Sequence, residues 1–469
     1  MTTQLVRRRT CGNKMPGPPM RALPKLLGQL WRDRLSLLAD AADEFGDAVR
    51  FRMGPKTIYY FNHPDHAKHV LADNPANYHK GMGLSEARRV LGDGLLTSEG
   101  ALWRQQRGTI GPAFRRDRLA DFAGLIVSEA DALVTRLDAK SGEGPVDVLE
   151  EMTQLTIAVL GRALLGADLT RFTGLRDAFE VVQDQAMFEM VSLRMLPIWL
   201  PLPRHRRFHA ALAHLEQVAA RLVAEREHDG KSGGESGGEN GSGDVITRLL
   251  AAYRDQPDEA LRRRRLRDEL LTLLLAGHET TASTLSWMWY LIDAHPEAAE
   301  RMREEAVRVL GDRTPSYADL PDLRYTTMVI EETMRLYPPV WALTRRAVEA
   351  DEIGGYHVPA GADVMISPYT LHRHPDYWPD PQRFDPQRFD PARTTVHRYA
   401  YIPFGAGPRV CVGSHLGMME ATFVAAMVAR RFRLRLVPGR AVKGEAMLSL
   451  RVQGGLPMLV RPAAVGDTS

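Results

Sequence analysis

The stretch Phe404-Gly405-Ala406-Gly407-Pro408-Arg409-Val410-Cys411-Val412-Gly413 decides how the rest of this chain is read. Gly405 and Gly407 precede the cysteine and Gly413 follows it. Glycine lets a backbone take dihedrals closed to other residues and approach a flat ligand closely. Backbone N–H groups in such a loop can donate to a sulfur anion and tune its electron density. Arg409, two residues before the thiol, favours thiolate over thiol. A helix is predicted to begin after Gly413, which would turn its positive end toward the sulfur.

A lone cysteine is most often an inert buried side chain. The spacing of Phe404, the glycines, Arg409 and Cys411 argues against that here. Zinc is disfavoured, because the second cysteine, Cys11, lies in the N-terminal tail and His372 and His374 form a pair of the kind usual on a loop surface. A single thiolate without cluster partners suits an axial ligand to haem iron.

Composition sets the outer limits. In 469 residues, 61 Lys+Arg against 58 Asp+Glu leave a charge of +3, too small a surplus to argue for nucleic acid. Two cysteines exclude a disulfide scaffold and are compatible with a reducing cytosol. Arg7, Arg8 and Arg9 are followed by no apolar core, so residues 1–19 do not read as a signal peptide. Residues 270–292 are long enough to cross a bilayer. His278, Glu279, Thr280 and Thr281 in their middle would be costly in lipid, so a buried helix in a water-soluble, cytoplasmic protein is expected. The apolar segment 197–203 is too short to span; it could touch a membrane or cover a pocket.

Along the chain, residues 30–45 read as one amphipathic helix. Val49, Phe51 and Met53, a turn at Gly54-Pro55, then Ile58 and Tyr60 read as a hairpin. Residues 64–226 are mostly helical in pattern, and the Gly/Ser-rich 229–244 is a flexible loop. The run Arg262–Arg265 reads as a solvated helix turn. Short strands follow Ile353, 372–391 is an ordered meander, and 448–460 reads as a last hairpin turning at Gly454-Gly455. The fold class is mainly α with small β-sheets. The expected organisation is a tail over 1–20, one domain over 21–463 and a tail over 464–469.

Residues Phe404 to Gly413 resemble the haem-binding loop of the cytochrome P450 monooxygenases, F-x-x-G-x-R-x-C-x-G, at every fixed position. Cysteine-ligated haem is a known property of that family. The resemblance implies Cys411 as the iron ligand, Phe404 beside it, Arg409 facing a propionate, and Gly405 and Gly413 shaping the loop. It implies the P450 fold, with haem b held between two helices.

Four further motifs stand in the family's order. Ala276-Gly277-His278-Glu279-Thr280-Thr281 resembles the oxygen-activating A-G-x-[D/E]-T. There Gly277 would let the helix open beside the haem. Glu279 and Thr280 would relay protons into a dry site. Glu332-Thr333-Met334-Arg335 matches E-x-x-R, and Pro386-Gln387-Arg388-Phe389 resembles the segment whose arginine completes a structural triad of Glu332, Arg335 and Arg388. Gln387 stands where the family often has Glu. Trp103 and Arg107 share a helix face at W-x-x-x-R spacing, and this resemblance puts them on a propionate. By the same resemblance Arg345 and Lys80 would be further propionate contacts.

The resemblance implies a monooxygenase that uses O2 and two electrons to hydroxylate or epoxidise a hydrophobic small molecule. The electrons would come from NAD(P)H through a separate ferredoxin and its reductase, docked on a basic face that Arg104, Arg115 and Arg116 could form. A monomer is expected. The pocket would draw on 82–96, 187–200, Ala276, 340–343 and the Gly454-Gly455 turn, with Met82, Leu96, Met187, Val340 and Leu343 as apolar lining. A secondary-metabolite intermediate such as a terpene, macrolide or other polyketide is the expected substrate, with fatty acids as the runner-up. A peroxide-driven haem enzyme or a non-catalytic haem carrier would not need Glu279 and Thr280.

Overall fold

The computed structural model describes residues 14–54, 56–192, 198–232, 244–393 and 396–463. Cys11, Pro55, residues 193–197 with the first residue of the apolar segment, 233–243 of the Gly/Ser-rich loop and the 464–469 tail lie outside them. The chain divides into two compact units. One is built from residues 14–85, 340–383 and 396–411, the other from 86–339, 384–393 and 412–463. Helix dominates and the sheets are small, as the sequence predicts.

The first unit is organised on a five-stranded sheet. Its order runs Ala48–Met53, Lys56–Phe61, Asp363–Ile366, Leu343–Ala347, Tyr78–Lys80. The expected hairpin is present, with Val49 opposite Tyr60 and Phe51 opposite Ile58. Val49, Phe51 and Met53 point to the buried face, because alternate side chains leave a strand on opposite sides. Phe61, Val70, Leu71, Val364, Ile366 and Ile402 share one core cluster. In place of one helix over 30–45 there are two, Leu23–Arg32 and Arg34–Phe45. Asp33 separates them. Its side chain accepts from Ser36 N–H and caps the second helix.

The second unit is a helical body crossed by the Glu259–Asp293 helix. Asp258 starts that helix by accepting from the N–H groups of Ala260 and Leu261 at 2.9 and 3.1 Å. Of its early arginines, Arg262 and Arg263 pair with Glu259, and Arg264 with Asp93. The Pro203–Ser232 helix continues four residues into the segment read as loop. The last hairpin is corrected. Leu450–Val452 pairs with Gly444–Ala446, whereas Pro457–Pro462 pairs with Phe432–Leu436 and Pro145–Asp147. Gly454 and Gly455, at φ +70° and +85°, still turn the chain, but between two different sheets. Among the described residues no helix is long and apolar enough to cross a membrane.

Candidate active site

The acid–alcohol motif sits in the middle of the Glu259–Asp293 helix. From Asp268 to Trp289 every residue is buried except Ala276, Gly277, Glu279 and Thr280. At 100° per residue these four lie on one side of the helix, so a long apolar rod is open along a single short stripe. The helix is α-helical through Gly277. What Gly277 does is permit close packing: a Cβ on it would lie 2.6 Å from Leu160 Cδ1. The Thr280 hydroxyl donates to the Ala276 carbonyl at 3.1 Å.

Glu279 is the most constrained group of the motif. Its Oε1 accepts from Ser449 Oγ at 2.8 Å and its Oε2 from Gln183 Nε2 at 2.9 Å. Burial pushes its pKa above the ordinary carboxyl value, against the opposing pull of Ser449, Arg451 and Gln183. Next to it, His278 bonds through Nδ1 to the Leu274 carbonyl at 2.5 Å and packs on Phe179. Burial depresses His278 to about 4, so it is neutral at physiological pH. Gln183 and Ser449 carry no motif. One signal was available: Gln183 is a polar residue among Val182, Ala186 and Met187, all buried on the Leu175–Val191 helix.

The same unit holds the E-x-x-R pair. Arg335 grips Glu332 with two parallel bonds, Nε to Oε2 at 2.7 Å and a terminal nitrogen to Oε1 at 2.8 Å, both residues fully buried. Arg388 Nε stands 3.5 Å from Glu332 Oε1, and Asp385 N–H donates to that oxygen at 2.8 Å. The three expected members are thus together. Trp103 and Arg107 lie half-buried one turn apart on the Gly100–Ile110 helix. Leu96 is half-buried and Met187 buried.

In the other unit, the cysteine loop closes on itself. Cys411 N–H donates to Phe404 O at 3.0 Å, and Val410 N–H to Gly407 O at 3.1 Å. Gly405 and Gly407 have φ of +72° and +69°. A Cβ on Gly407 would run into the Leu71 carbonyl oxygen, so glycine is required there. His372 Nε2 accepts from Ile402 N–H at 2.8 Å and holds the entry to the loop. Cys411 is exposed, Arg409 half-buried, and a helix begins at Ser414, as the sequence predicts. Lys80 and Arg345 are cross-strand partners. Of the apolar candidates here, Met82 is buried, and its carbonyl accepts from Thr344 Oγ1; Val340 and Leu343 are half-buried.

With this geometry in hand, the comparisons are specific. The cytochrome P450 family model matches residues 15–455. Cyclooctatin synthase of Streptomyces melanosporofaciens is 39% identical over 89% of each chain. Cyclooctat-9-en-7-ol 5-monooxygenase of the same organism is 35% identical over 92% of each. Pentalenene oxygenase of Streptomyces avermitilis is 31% identical over 86% of this chain and 88% of its own. The family match and the monooxygenase and oxygenase relatives support an oxygen-incorporating oxidoreductase. The chain belongs to the cytochrome P450 family.

Family membership implies haem iron and O2. The residues present fit a flat dianionic macrocycle. Lys80 and Arg345 stand opposite each other on one pair of strands, and two cations so placed suit an anionic group. The one cysteine of the described residues sits exposed behind a glycine-shaped loop.

Proposed function

We propose that the protein is a haem-thiolate monooxygenase that hydroxylates or epoxidises a terpene-like secondary metabolite. The observation that carries this reading is the single open stripe between Asp268 and Trp289 of the Glu259–Asp293 helix, with Glu279 clamped in it and Thr280 beside it. A haem carrier has no use for a costly acid and alcohol in an apolar rod. A peroxide-driven enzyme needs no proton delivery to O2, so the same pair weighs against that rival.

Cys411 would supply the thiolate that holds haem b, and by the family resemblance Lys80, Arg345, Trp103, Arg107 and Arg409 would meet its propionates. When bound, the haem supplies the oxygen-activating and C–H or C=C oxidising chemistry. Burial favours the protonated form of Glu279, which suits it to pass on a proton. Thr280 has committed its hydrogen to the Ala276 carbonyl, so its oxygen offers lone pairs as an acceptor. Met82, Val340 and Leu343 in one unit and Leu96 and Met187 in the other are apolar, which suits an apolar substrate. Electrons come from NAD(P)H through a ferredoxin and its reductase. Arg104, Arg115 and Arg116 are exposed and suit an acidic donor.

The relatives are named for cyclooctatin, cyclooctat-9-en-7-ol and pentalenene, which supports a terpene over a fatty acid. The test is turnover of the holoenzyme with ferredoxin, reductase and NADPH on two probes, a cyclic diterpene alcohol and palmitate, under isotopically labelled O2. One labelled oxygen atom in the diterpene product is expected. Labelled palmitate alone would overturn the substrate class, and label-free turnover with added peroxide alone would overturn the monooxygenase reading.

A further inference from the structure

Resting on the reading of Glu279 as proton donor, we propose that Gln183 and Ser449 are positioning residues that hold its carboxyl in place in both protonation states. Each carboxyl oxygen has one partner, Ser449 Oγ at 2.8 Å and Gln183 Nε2 at 2.9 Å. The two partners reach it from sequence distances of 170 and 96 residues, one before the Leu450–Val452 strand and one on the Leu175–Val191 helix. Both are almost fully buried, at 3% and 2% exposure.

The chemical type of the partners decides what the clamp can do. An arginine or lysine only donates, so it holds a carboxylate and releases a carboxylic acid. A hydroxyl and a primary amide each contain a donor and an acceptor. Ser449 can donate to the anion or accept from the acid by rotating its hydrogen. Gln183 can do the same by turning its amide over. In the present orientation its Oε1 is buried and accepts no hydrogen bond among the described residues. That atom is the acceptor a protonated Glu279 would use after the amide turns. An acid so held can lose a proton and regain it without leaving its place.

The surrounding charges leave this pair in control. Arg451, the nearby cation, is engaged by Glu180 and Glu445, each at 3.0 Å. Asp184 faces the same arginine, and burial raises its carboxyl. His278 is neutral and turned to the Leu274 carbonyl. No cation bonds directly to Glu279 among the described residues.

Infrared titration of the carboxyl stretch in the full-length holoenzyme tests this. Glu279→Gln identifies the band. Loss of one donor to the anion should raise the midpoint by about one pH unit in Gln183→Ala and in Ser449→Ala. Ser449→Thr should restore the wild-type midpoint, and Gln183→Arg should lower it by locking the anion. Unchanged midpoints in both alanine variants would overturn the proposal, as would a Glu279 that never shows a protonated band. If Gln183→Ala does not fold, the Ser449→Ala and Ser449→Thr pair decides alone. Separately, if Glu279→Gln leaves peroxide released per NADPH unchanged with the diterpene alcohol bound, the proton-donor reading fails whatever the infrared result.

Discussion

Lys80 and Arg345 stand directly opposite each other on neighbouring antiparallel strands, two cations in one cross-strand pair. Like charges so placed repel. Gly81 brings the strands close here, since a Cβ on it would lie 2.7 Å from the Arg345 backbone. On the proposed reading, haem propionates would suit both cations. Replacing Lys80 by Met or Arg345 by Leu should therefore speed haem loss to an acceptor globin by about tenfold. The apoprotein should keep its thermal stability or gain slightly. Unaltered haem-loss rates in both variants would remove these residues from the cofactor site.

Glu332 and Arg335 are fully buried and bonded twice. Removing one partner of such a pair leaves an uncompensated charge in the interior, at a cost of about 3–5 kcal/mol. Glu332→Ala should lower the thermal midpoint by many degrees or abolish soluble expression. Arg388→Ala should be milder, because Arg388 approaches Glu332 at 3.5 Å beside the Asp385 N–H bond. Equal thermal midpoints for wild type and Glu332→Ala would contradict this.

Glu420 is buried in the Ser414–Arg431 helix, and its Oε1 has no hydrogen-bond partner among the described residues. Burial holds its carboxyl well above the ordinary range. A raised native pKa means that the folded state binds the proton more tightly. The associated stability is present below the unfolded carboxyl pKa and is lost as pH rises toward the folded value, by up to about 1.4 kcal/mol per pH unit. Glu420→Gln should accordingly be more stable than wild type at pH 8, and the gap should close on acidification to about pH 4. Denaturant midpoints across that range check the sign.

His278 behaves in the opposite sense. Its pKa falls from 6.5 to about 4 through burial, so the folded state resists protonation. The stability involved is present above about pH 6.5 and is lost as pH falls toward 4, at about 1.4 kcal/mol per unit. His278→Asn keeps a donor for the Leu274 carbonyl and has nothing to protonate. Its stability should fall less steeply between pH 6.5 and 4.5, and parallel curves for the two proteins would refute the assignment.

Local patterns carried most of what could be foreseen. The cysteine loop, the acid–alcohol helix and the Glu332–Arg335 pair each lie within ten residues or fewer, and their geometry follows from helix period and glycine dihedrals. Asp33 splits a helix that hydrophobic periodicity alone would run through, because its cap competes with helix continuation. Residues 448–460 look like strands on either side of a turn, but alternation says nothing of the partner, and the partners come from elsewhere. The Lys80–Arg345 register and the hold of Gln183 and Ser449 on Glu279 join distant segments, and no spacing rule reaches them.

The most direct test of the account is the absorption spectrum of the dithionite-reduced holoprotein under carbon monoxide, beside that of Cys411→Ser. A long-wavelength Soret band characteristic of thiolate ligation is predicted for the wild type, with its loss in the variant. A wild-type band at the shorter wavelength of histidine-ligated haem, or the same spectrum in both proteins, would contradict Cys411 as the iron ligand and the mechanism built on it.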